Sequence, residues 1–86
     1  MARFRFGVSV MPRDGILDPQ GRAVEAALPQ LGADSVHDVR VGRRVELNVE
    51  ATEEAHARAL VERLAAELLA NPLVERWHIE RLEAGP

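Results

Sequence analysis

The spacing of apolar residues along this 86-residue chain changes period from two to between three and four and back, twice over. A strand that alternates has one apolar face and a helix at the longer spacing has one apolar stripe, and each must be buried against something else. Phe4, Phe6, Val8 and Val10 alternate with Arg5, Gly7 and Ser9, which predicts a first strand ended by Pro12 and Asp14-Gly15. Asp18 then offers an oxygen to a free amide, and Pro19 suits the first helical position, where its missing N–H costs nothing. Ala23, Val24, Ala27, Leu28 and Leu31 recur at helical spacing as far as Gly32. Pro29 interrupts that run and predicts a kink, or an early closure into a tighter last turn.

Val39 and Val41, then Val45, Leu47 and Val49, return to the period of two. Gly42-Arg43 lies between them with glycine first, the pattern of a type II′ hairpin; Asp38, Arg40, Glu46 and Asn48 take the opposite face. A second helix is predicted from Thr52, whose hydroxyl can cap it, with Glu53 and Glu54 at the positive end of the dipole. Ala57, Leu60, Val61, Leu64, Ala65 and Leu68 form its stripe, and Asn71-Pro72 stops it. A last strand runs from about Leu73 to Leu82, pairing in its own sheet or against a partner, and Ala84-Gly85-Pro86 reads as a frayed tail. The order β-α-β-β-α-β over residues 1–86 predicts one α+β domain. It is a two-layer sandwich with two helices on one face of a mostly antiparallel sheet, a relative of the ferredoxin-like arrangement.

A single core of this size confers modest stability, and with no cysteine the chain has neither disulfides nor thiolate metal sites. Association is the remaining supplement, so a dimer or higher assembly is predicted. Net charge is −3, with Arg interleaved among Glu and Asp, so no basic stripe exists to displace counterions from a nucleic acid. Phe4, Phe6 and Trp77 are too few aromatics for a base-stacking platform. The first six residues lack the apolar run of a signal peptide or anchor. The longest largely apolar stretch, around Leu64–Ala70, is far below the ~20 residues that span a bilayer. The expected location is cytoplasmic, with no membrane contact.

Chemistry is hard to place in this chain. His37, His56 and His78 are far apart and lack a second ligand at metal spacing. Ser9 and Ser35 have no GxSxG frame, and Glu53-Glu54 sits where carboxylates serve the helix dipole. Gly15, Gly21 and the intervening Asp-Pro-Gln match no phosphate-loop spacing, and Asp18 puts a negative charge where an anion would sit. No catalytic, cofactor-binding or metal-ligating residue is predicted. The residues alone define a small interaction domain or a ligand-binding one.

The run Gly15-Ile16-Leu17-Asp18-Pro19-Gln20-Gly21-Arg22-Ala23-Val24-Glu25 resembles the signature of the PurS family, small subunits of bacterial phosphoribosylformylglycinamidine synthase. The resemblance continues through Leu31-Gly32, Val39-Arg40-Val41-Gly42-Arg43 and Leu69-Ala70-Asn71-Pro72-Leu73-Val74-Glu75, covering nearly the whole chain in order. Arg43 stands where the family usually has Lys, Leu73 and Val74 where Val and Ile are common, and Trp77 where Tyr is frequent; Pro29 is unusual in the first helix.

The resemblance implies a non-catalytic part in a three-component, ATP-dependent, glutamine-using ligase of purine biosynthesis. A glutaminase subunit would release ammonia and a large synthetase subunit, carrying ATP and Mg, would use it. This chain would bridge them as a dimer, assist ammonia transfer, and be inactive in isolation. Within that role Asp18, Pro19, Gly21 and Gly42 are read as cap and turn residues, and Asn71 and Pro72 as a helix stop. Gln20, Arg22, Arg40 and Arg43 have no such local task and are the candidate partner contacts. The alternative is a small-molecule-binding regulatory α+β dimer.

Overall fold

The computed structural model describes residues 1–83, so the tail at Ala84-Gly85-Pro86 lies outside the described residues. β1 (Ala2–Pro12) is the central strand of a three-stranded sheet. β2 (Arg43–Ala51) pairs with one of its edges and β3 (Glu75–Leu82) with the other, both antiparallel, in the order β2-β1-β3. Val8 faces Val45 on one side and Ile79 on the other, so the apolar set of all three strands falls on one face. β3 pairs within its own chain, which resolves the alternatives left open for it.

α1 (Pro19–Ala27) begins as its residues dictate: the Asp18 side chain accepts from the Gly21 amide and Pro19 takes the first position. Of the two outcomes open for Pro29, the tighter one occurs. The α-helix closes at Leu28, Pro29–Leu31 forms a 3-10 turn, and Gly32 ends it in the left-handed region at φ 72°. α2 (Glu54–Leu64) carries its stripe as predicted, and its last turn, Ala65–Leu69, widens to π geometry with the Ala70 amide donating to the Ala65 carbonyl. Thr52 does not cap it. Glu53 occupies the cap position without a side-chain bond, and the Thr52 hydroxyl lies 3.4 Å from His56 Nδ1.

The hairpin expected at Gly42-Arg43 does not form. Residues 38–42 are irregular, leaving three strands rather than four, in the order β-α-β-α-β. The physical reason is competition for the amides. The Val39 N–H donates to Glu25 and the Val41 N–H to Asp18, so carboxylates of the α1 region take donors that a strand ladder would have used. Gly42 accordingly serves close approach, not a turn: a Cβ there would overlap the Val10 carbonyl and Met11 Sδ.

The core is Phe6, Val8, Val10, Val49, Ala51, Ala57, Val61, Ala65 and Ile79, formed between the sheet and α2. α2 lies over β1 and β2. α1 buries only Gly21, while Val24 and Leu31 are 43% and 79% exposed. The radius of gyration is 16.6 Å, against about 12 Å for a compact domain of this length. With extents of 52 × 32 × 14 Å, the shape is a plate with one helix standing off it.

Candidate functional site

Two polar clamps organise the surface around the signature run. In the first, Asp18 accepts from the Gly21 amide at 3.0 Å and from the Val41 amide at 2.9 Å, with Arg40 Nε 3.8 Å away. The amide bonds, Gly21 foremost, hold the Asp18 carboxyl below its ordinary range, with the Arg40 charge a smaller cause. Gly21 is required by this packing: a Cβ would lie 2.5 Å from both the Asp18 carboxylate and the Val39 carbonyl. Arg40 extends the clamp by donating to the carbonyls of Pro12 at 3.1 Å and Arg13 at 2.8 Å. The start of α1, the end of β1 and the 38–42 connection are thereby tied to one point.

In the second clamp Arg43 grips Glu75 with both terminal nitrogens, at 2.6 and 3.0 Å, and also donates to the Leu69 carbonyl. Glu75 accepts the Asn71 amide as well, and these bonds, Arg43 foremost, lower its pKa from 4.5 to about 2. Asn71 accepts from the Leu73 amide and Pro72 offers its carbonyl to Arg13, so both shape the turn into β3. The guanidinium sits where free carbonyls end the α2 region, favourable for a cation.

These bonds divide the four candidate contacts. Arg40 and Arg43, read from sequence as having no local task, both have one inside the chain. Gln20 and Arg22 are exposed and make no hydrogen bond or ion pair among the described residues. Arg22 lines an open groove of about 630 Å³ with Asp14, Ile16, Leu17, Asp38 and Arg40, walled by the signature run.

The sheet face away from α2 carries a third arrangement that the sequence reading missed. Arg44 reaches Glu46 at 2.9 Å on its own strand, Ser9 at 3.2 Å, and Glu80 on β3 at 2.6 Å, crossing the central strand above Gly7. A Cβ on Gly7 would overlap that guanidinium. Arg5 joins Glu46 from the other side at 2.8 Å. Bonds from Arg44 and then Arg5 lower the Glu46 pKa, and Glu46 with Glu80 raises that of Arg44. Gly7 within an alternating strand was the legible signal of a close approach.

Thr52, His56 and Glu53 form a hydroxyl–imidazole–carboxylate line, at 3.4 and 3.2 Å, but all three are exposed, so water competes for each group. Among the described residues no group of three His, Cys, Asp or Glu is placed to hold a metal ion. None of the described helices is long and apolar enough to cross a membrane. The polar side chains fasten the chain to itself while apolar residues of α1 stay outside. The molecule is an α+β interaction scaffold.

Comparison with known proteins narrows the class. The PurS family model, described as phosphoribosylformylglycinamidine (FGAM) synthase, matches residues 5–83. A phosphoribosylformylglycinamidine synthase subunit PurS from Mycobacterium leprae is 45% identical over 74 residues, 86% of this chain and 90% of that protein. The structure of PurLQS from Thermotoga maritima matches at a TM-score of 0.87 and 33% identity, covering 95% of this chain and 100% of that one. Thermus thermophilus PurS matches at 0.80 and 36%, with 95% and 100% covered. The chain belongs to the PurS family of phosphoribosylformylglycinamidine synthase subunits, whose enzyme is a ligase of purine biosynthesis.

Proposed function

We propose that this chain is the non-catalytic assembly subunit of its synthase, joining a glutaminase subunit to a large subunit that carries ATP and Mg. It works in the cytoplasm, self-associates, and helps ammonia pass between the partners without loss to water. The observation that carries the reading is the apolar surface left outside a chain this small. Val24 and Leu31 on and beyond α1, Leu60 and Leu68 on and beyond α2, and Leu73 are 41–85% exposed, and the radius of gyration is well above that of a self-contained domain. That a Thermotoga maritima relative is solved as PurLQS supports partners of the same enzyme. Gln20 and Arg22, free at the start of α1, are the polar contacts proposed to accompany the apolar ones.

Reconstitution tests it. The purified chain should show no ATPase, glutaminase or amidine-forming turnover alone. Added to the other two subunits it should restore glutamine-dependent formation of the amidine. Turnover by the isolated chain, or no stimulation on adding it, would refute the proposal. The small-molecule reading is weaker, because the groove beside Arg22 is open and its Arg40 and Glu25 are occupied by backbone groups.

A further inference from the structure

Both outer strands of the sheet present a free edge, and one of them is complementary to itself. β3 reads Glu75-Arg76-Trp77-His78-Ile79-Glu80-Arg81. If two copies pair antiparallel about a two-fold axis through His78, Glu75 meets Arg81, Arg76 meets Glu80, and Trp77 meets Ile79. Each of these occurs twice, and Val74 meets Leu82 beyond them. Residues opposite one another in an antiparallel pair share a face, so the centre can move only by whole residues along the strand. Centred on Trp77, Glu75 would face Ile79 and Arg76 would face His78. Centred on Ile79, Arg76 would face Leu82 and Trp77 would face Arg81, with Glu75 against Glu83. Only the His78 register matches every pair.

We infer that a second copy of this chain adds to the β3 edge in that register, giving a continuous six-stranded sheet in the order β2-β1-β3-β3-β1-β2. The edge is available: backbone hydrogen bonds from residues 76–81 go to β1 and to no other element among the described residues. An open edge of this kind is a template for another strand. α2 lies over β1 and β2, so the layer above β3 does not obstruct the join. The other edge is the poorer candidate. Centred on Leu47, β2 matches Arg44 with Glu50 and Val45 with Val49, but it sets Glu46 against Asn48 and Arg43 against Ala51. Its Arg44 is already drawn inward to Glu80, and Glu50 to Arg3.

The inference rests on the self-association proposed above, and the test separates the two. The chain has no cysteine, so one introduced on the axis reports its own neighbour. Opposed residues of an antiparallel pair have Cα atoms about 4.5–5.5 Å apart, within the range a disulfide spans. Under mild oxidation His78→Cys should give a covalent dimer on non-reducing gels, while Leu47→Cys should not. In sedimentation, Arg76→Glu and Glu80→Arg should each weaken the dimer on the order of tenfold, since each sets two like-charge pairs face to face. The double variant should regain affinity, although it still lacks the internal Asp14 and Arg44 pairs of the wild type. A wild-type dimer that cross-links through Leu47→Cys alone, or through neither, overturns the β3 edge and leaves self-association standing. A monomer at all concentrations overturns both. Failure of the double swap to recover overturns the register.

Discussion

Gly42 and Gly21 show how little the identity of a glycine says about its task. Neither has a positive φ; each is glycine because another group lies where a Cβ would be. At Gly42 that group is the carbonyl of Val10 in the central strand, which cannot move without opening the sheet. Gly42→Ala should therefore destabilise the fold by about 1–3 kcal/mol, read as a lower denaturant midpoint. The Arg43–Glu75 pair makes a pH-dependent contribution whose sign is set by its direction. The folded pKa of Glu75 is about 2 and its ordinary value 4.5, so the folded state favours the ionised form. That stability is fully present above pH 4.5 and is lost as pH falls from there towards 2. Thermal melts of wild type should decline across this window, while Glu75→Gln, already without the charge, should decline less over the same range.

At the scale of elements the two helices have opposite relations to the sheet. α2 inserts Ala57 and Val61, with Ala65 just beyond, against β1 and β2, so its stripe is part of the core. α1 has a stripe of similar amphipathic spacing whose side chains meet nothing of that core. Val61→Ala should cost about 2 kcal/mol of stability, from lost burial plus the space left behind. Val24→Asp should leave unfolding of the dilute protein nearly unchanged but weaken capture of the other synthase subunits, measured by pull-down alongside Val61→Ala. Equal losses of stability in the two variants would show that α1 is part of the core after all. The connection at 38–42 follows the same rule. It alternates like a strand, yet Asp18 and Glu25 compete successfully for its amides.

For the molecule as a whole, a plate 14 Å thick with a projecting helix cannot shield its apolar surface alone. A chain stabilised by copies of itself has a melting temperature that rises with protein concentration. A tenfold dilution series followed by circular dichroism should show that rise, and a melting temperature independent of concentration would contradict self-association. The mixed-sign network of Arg5, Glu46, Arg44 and Glu80 covers the other sheet face. Exposed pairs of this kind contribute little singly, but they make that face polar and leave the strand edges and helix stripes as the adhesive regions.

Periodicity and local chemistry were legible in the chain: the first strand, the α1 cap at Asp18 and Pro19, the tight turn at Pro29, the α2 stripe and the stop at Asn71-Pro72 all depend on neighbours within a few residues. So was the family, carried by motifs in order. The fate of Val39–Val41, the inward duties of Arg40 and Arg43, the span of Arg44 over Gly7 and the detachment of α1 were not. Each depends on groups distant in sequence, such as Val10 beside Gly42 or Glu75 beside Arg43, and periodicity shows that a face is apolar without showing which chain covers it.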